Sequence, residues 1–78
     1  MREHTPRFIV TFHTTAEAMA TEKACHTRGL EGKLVSAPRS LSADCGIAWS
    51  APLSARDGIE RAIAEERIEV AGFHELVT

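Results

Sequence analysis

The sequence predicts an α+β domain in which two helices cover one face of a four-stranded antiparallel sheet. Three observations predict it. Four short runs are β-branched or alternate in polarity; two helical stretches with capping signals separate the first run from the second and the third from the fourth; and a direct loop joins the middle pair. The chain has 78 residues, 44% hydrophobic and 26% charged, the usage of an ordinary soluble domain with room for a single core. One domain over residues 1–78 is therefore expected, with residues 1–6 a flexible lead-in.

Residues 7–13 set Phe8, Val10 and Phe12 against Ile9, Thr11 and His13, a run largely apolar on both faces, as a central strand requires. Thr14-Thr15-Ala16-Glu17 reads as a capping box. The Thr14 hydroxyl accepts from the Glu17 amide, and the Glu17 carboxylate reaches back to Thr14. The helix that follows carries Ala16, Ala18, Met19, Ala20, Ala24 and Cys25, and it ends near Arg28, where Gly29 tolerates a left-handed conformation. Residues 33–37 form a short second strand stopped by Pro38, which has no N–H for a ladder. Residues 39–46 are small and polar and end in glycine, the composition of a sharply bending loop.

Residues 47–50 form the third strand, with Ile47 and Trp49 inward. Ser54-Ala55-Arg56-Asp57 repeats the capping signature ahead of Ile59, Ala62 and Ile63 at helical spacing, and Ile68 continues their apolar side. Residues 70–77 alternate around Gly72 and close the chain as the fourth strand. The order β-α-β-β-α-β is the ferredoxin-like split plan, βαββαβ, with its second sheet face open. Apolar residues on that open face lead to the expectation of a homodimer through it.

A formal net charge of -2 provides no positive field for a nucleic-acid backbone or an anionic membrane, so neither is expected as a partner. No apolar run approaches the roughly 20 residues of a membrane-spanning helix, and the opening residues lack the apolar core of a signal peptide, so the protein reads as cytoplasmic. Glycine-rich phosphate cradles, G-x-S-x-G elbows and paired acidic motifs are missing, which disfavours a stand-alone enzyme. His4, His13, His26 and His74 have no metal-ligand spacing, and each reads as structural; no metal or cofactor is expected.

The two cysteines read as free thiols. Cys45 stands in the bending loop beside Gly46, with Arg39, Ser40 and Ser42 close in sequence. A thiolate is the nucleophilic form, and cations and backbone amides lower a thiol pKa from about 8.5. Gly46 leaves room for a substrate to approach. Asp44 acts in the opposite direction, because a like charge raises the thiol pKa unless Asp44 turns away or pairs with Arg39. On the residues alone, a small hydrophobe at the head of a strand competes with a reactive thiol, and both readings stay open. Cys25, inside the first helix, reads as packing; a bridge between Cys25 and Cys45 is left open, since sequence does not fix their separation.

Several stretches together resemble a known family. Phe8-Ile9-Val10-Thr11-Phe12, Ala18-Met19 with Glu22-Lys23, Gly32-Lys33-Leu34, and Pro38-Arg39-Ser40-Leu41-Ser42 ahead of Cys45-Gly46-Ile47-Ala48-Trp49 are similar to the selenium/sulfur (Se/S) carrier protein-like family of small bacterial domains. The most specific element is the proline–arginine pair followed by cysteine–glycine and an apolar strand. The resemblance implies a carrier that holds sulfur or selenium, as a persulfide or perselenide, on a loop cysteine for transfer to a partner protein. The carrier cysteine matches Cys45, its adjoining glycine Gly46 and the motif arginine Arg39. Donor and acceptor would then be desulfurase or sulfurtransferase-like proteins. Asp44 departs from the small residue of the family pattern, and its charge would repel an anionic persulfide. The competing reading is a non-enzymatic protein-interaction or dimerisation module of the same fold, in which Cys45 only packs.

Overall fold

A computed structural model describes residues 6–38, 41 and 46–77. Strands β1 (Pro6–Thr11), β2 (Lys33–Ser36), β3 (Ile47–Pro52) and β4 (Gly72–Val77) and helices α1 (Thr15–Thr27) and α2 (Arg56–Glu66) follow one another as β1, α1, β2, β3, α2, β4. The sheet order is β2-β3-β1-β4, and every neighbouring pair is antiparallel. Consequently β1 runs parallel to β2 with β3 between them, and β3 runs parallel to β4 with β1 between them. Each helix thus spans a split βαβ unit, the ferredoxin-like arrangement expected from the sequence.

Register separates the two faces of the sheet. Phe8 lies opposite Ala51, Val10 opposite Trp49, and Trp49 opposite Leu34. This face meets Ala18 and Cys25 of α1 and Ile59 and Ile63 of α2 in one core, with Trp49, Phe8 and Phe12 its largest fully buried side chains. The alternate positions form the other face. There Arg7 donates through Nε and Nη2 to Ser50 Oγ at 3.3 and 3.1 Å, and Thr11 Oγ1 lies 3.2 Å from His74 Nε2. Ile9, Thr11, Ala48 and Ser50 are buried there, and Val35, Pro52 and Leu76 are half-buried apolar side chains of the same face.

At the head of α1, Thr14 Oγ1 accepts from the Glu17 amide at 3.2 Å, as the capping box requires. The Glu17 carboxylate goes one residue further back than expected and accepts the His13 N–H at 2.8 Å. Because β1 stops at Thr11, the His13 amide lies outside the ladder and is free to take it. The helix closes at Arg28, and Gly29 follows with φ +69°.

Several boundaries differ from the sequence expectation: β1 ends at Thr11 and β2 at Ser36, two residues and one residue early, and four more differ as follows. Pro6 is not part of a flexible lead-in but the first residue of β1, opposite Val77. β3 extends to Pro52, whose missing N–H is tolerated because it is the last residue of the strand. Ser54 does not cap α2: Leu53–Ala55 form a turn of 3-10 helix, and the N-cap is Ala55, with no side-chain hydrogen bond. Val70 precedes β4 and packs against the core instead of joining the ladder.

Gly32 fixes the approach of the chain to β2. Its φ is +146°, and a Cβ there would lie 2.5 Å from Cε2, Cζ2 and Nε1 of Trp49. Any side chain therefore meets both a forbidden backbone conformation and an aromatic ring. Gly32→Ala should lose about 1–3 kcal/mol to backbone strain, and overpacking against the indole adds to it. Urea unfolding should show the loss as a lower midpoint at unchanged slope. A wild-type midpoint would mean that the turn relaxes away from Trp49.

Candidate functional site: the β2–β3 loop and the thiols

The loop that carries the candidate carrier residues begins where β2 ends. The last cross-strand pair is Ser36 with Ile47. One residue beyond it, the Ala37 N–H donates to the Gly46 carbonyl at 3.0 Å, and this bond closes the stem. Within the loop the Leu41 N–H donates to the Pro38 carbonyl, also at 3.0 Å. Gly46 is exposed with φ +74°, and a Cβ there would touch nothing within 4 Å among the described residues. Glycine is thus favoured at 46 by its backbone rotation. Thr11 pairs with Ala48, so the loop leaves the sheet at the end where β1 hands over to α1.

Of the residues singled out from the sequence, Gly46 is placed by the structure. Cys45, Arg39, Ser40 and Ser42 lie outside the described residues, as does Asp44. The sequence reading placed Ala37 at the end of the second strand; the ladder instead ends at Ser36, and the Ala37 amide closes the stem.

Cys25 is placed fully. It is a free thiol, wholly buried in the core on α1. Burial pushes its pKa above the ordinary thiol value, and the Arg28 charge only partly opposes that shift. A buried, protonated thiol is a poor nucleophile, and the packing role read from the sequence stands. One turn earlier, Thr21 is also fully buried; its hydroxyl and the Trp49 indole N–H are without a hydrogen-bond partner among the described residues.

The described histidines are dispersed. His13 Nδ1 lies 3.4 Å from Glu17 Oε1, the His26 ring stands edge-on to Trp49, and His74 contacts Thr11. Among the described residues no group of three or more His, Cys, Asp or Glu converges as metal ligands would. An open groove of about 330 Å³ runs along α1 past the end of α2, lined in part by Lys23, Thr27, Arg28, Glu66 and Ile68. Its arginine is already engaged: Arg28 pairs with Glu65 at 2.7 Å and with Glu66 at 3.3 Å. Among the described residues no helix is long and apolar enough to cross a membrane.

The family model described as "Putative Se/S carrier protein-like" matches residues 7–75. The chain belongs to this family. The match runs from β1 into β4, so the Se/S carrier-like assignment covers both split units and the whole β2–β3 loop, Cys45 included. Neither the curated proteins nor the solved structures contain a significant match to the chain.

Proposed function

We propose that this Se/S carrier-like domain holds sulfur or selenium on Cys45 and passes it from a donor protein to an acceptor protein. The observation that carries the reading is the fate of the other thiol. The chain has two cysteines, and Cys25 is entombed in the core with its pKa raised, which supports Cys45 as the candidate for the cargo. Family membership across the loop and a stem closed at Ala37 and Gly46 support the same assignment.

For sulfur, the step is a thiol–persulfide exchange. The Cys45 thiolate attacks the terminal sulfur of a donor protein persulfide, R–S–SH. A new S–S bond forms at Cys45 as the donor's S–S bond breaks, and the donor cysteine leaves as R–S⁻. No net oxidation occurs, and the cargo, Cys45–S–SH, then undergoes the same exchange with an acceptor thiolate. Arg39 and loop amides would stabilise the terminal anion; Asp44 would have to pair with Arg39 or turn away. Gly46, the next residue in the chain, carries no side chain that would obstruct a donor's approach to Cys45. A perselenide would be handled by the same exchange.

Incubation with a cysteine desulfurase and its cysteine substrate, followed by intact-mass measurement, tests the reading. The wild-type chain should gain one sulfur, and Cys45→Ser should gain none. An adduct that persists in Cys45→Ser, or a wild type that acquires none while the desulfurase is active, overturns the assignment. The second of these results favours the interaction module.

A further inference from the structure

We propose that the outer edge of β4 pairs antiparallel with β4 of a second copy of the chain, joining two four-stranded sheets into one. This does not rest on the carrier reading, and it moves the contact from the open sheet face, where the sequence pattern located it, to the sheet edge.

The two edges of the sheet differ in kind. β2 is four residues long, starts with Lys33 and runs into Pro38, features that discourage pairing with another chain. β4 is six residues long, Gly-Phe-His-Glu-Leu-Val, with neither proline nor lysine, and among the described residues no strand lies beyond it. The exposed large hydrophobic residues among the described positions are Met19, Phe73 and Val77. Two of the three are thus on β4, four residues apart on one face, at 41% and 67% exposure.

The strand is also complementary to itself. When a strand pairs antiparallel with its own copy about a two-fold axis normal to the sheet, opposed residues share a face, so the axis passes through a single residue pair. With the axis at Glu75, Phe73 of each copy lies opposite Val77 of the other, and both exposed apolar side chains gain an apolar neighbour. With the axis at His74, Phe73 would instead face Glu75, and that gain is lost. The Glu75 axis brings two carboxylates together, which alone would oppose pairing. However, each Glu75 is held by Arg56 of its own α2, and Arg56 also bonds Glu60 at 2.6 Å. The centre of the joint therefore carries arginines as well as glutamates. Small domains bury a modest fraction of their surface, so an added apolar contact is favourable here.

Sedimentation of the full chain from micromolar to millimolar concentration tests the pairing. The wild type should form a dimer. Val77→Lys, at a position exposed enough to leave the fold intact, should weaken the dimer at least about tenfold. Val35→Lys, on the open face, should leave it unchanged. Amide exchange gives a second readout on the wild type alone: β4 amides should exchange more slowly in concentrated than in dilute solution. A monomer at millimolar concentration, a dimer indifferent to Val77→Lys, dissociation by Val35→Lys alone, or exchange in β4 independent of concentration would each overturn the proposal.

Discussion

Replacing Trp49 by alanine should remove about 3–5 kcal/mol of stability. At roughly 0.05–0.15 kcal/mol per residue, the 78-residue chain holds on the order of 4–12 kcal/mol in all, so the variant sits close to its unfolding threshold. The indole is fully buried in the middle of β3, opposite Val10 on one side and Leu34 on the other, with Gly32 stacked against it. Removing it empties the centre of the core where three strands meet. Trp49→Phe should cost much less. The ring is largely refilled, and the buried indole N–H, unpartnered among the described residues, is removed along with its desolvation penalty. Urea unfolding followed by circular dichroism measures both variants. Equal midpoints for alanine and phenylalanine would mean that the cavity collapses and that the indole does little for the core.

Native protein treated with an alkylating reagent at neutral pH should keep Cys25 unmodified. Its sulfur becomes accessible only when the domain opens, so its labelling should be slowed by roughly 10³-fold or more relative to denatured chain. The Cys45→Ser variant isolates the effect: labelling should be absent from the native state and complete in denaturant. Rapid native labelling of that variant would contradict the burial of Cys25 and remove the main support for Cys45 as carrier. Burial also gives the thiol a pH signature. Its folded pKa lies above the unfolded value, so its contribution to stability is full below about pH 8.5. The contribution is lost as pH rises towards the folded pKa, because the unfolded chain releases its proton first. Cys25→Ala should lack this alkaline decline when thermal unfolding is followed across the range.

How much of this was legible follows from what each feature depends on. The strand around Phe8, Val10 and Phe12, the Thr14 cap and the left-handed Gly29 were readable because each is set by residues within a few positions of one another. Sequence placed Ile47 and Trp49 inward correctly, since alternation survives even when strand length is misjudged. The false cap at Ser54 shows the limit of that reading. Its pattern matches a capping signature, yet the chain takes a 3-10 turn after Pro52 and α2 starts two residues later. Nothing local announces the brace on β4, where Arg56 bonds Glu75 and sits 5.5 Å from the centroid of Phe8, which in turn stacks on Phe73. Those contacts join residues far apart in the chain and exist only once the sheet order is set. At the candidate site, the loop, its terminal glycine and the buried partner thiol could all be read in advance. The hydrogen bond from Ala37 to Gly46 could not, because it depends on the pairing of Ser36 with Ile47.

That bond has a practical outcome for engineering. The chain is tied at Ala37 and at Gly46, on either side of residues 38–45, so the frame fixes the separation between the two ends of that stretch. Doubling the length of such a stretch costs only about 0.6 kcal/mol in closure entropy. That stretch can be tried as an exchangeable cassette: grafts that keep Ala37 and Gly46 should fold on the same scaffold, and thermal unfolding of each graft measures how far the two ties suffice.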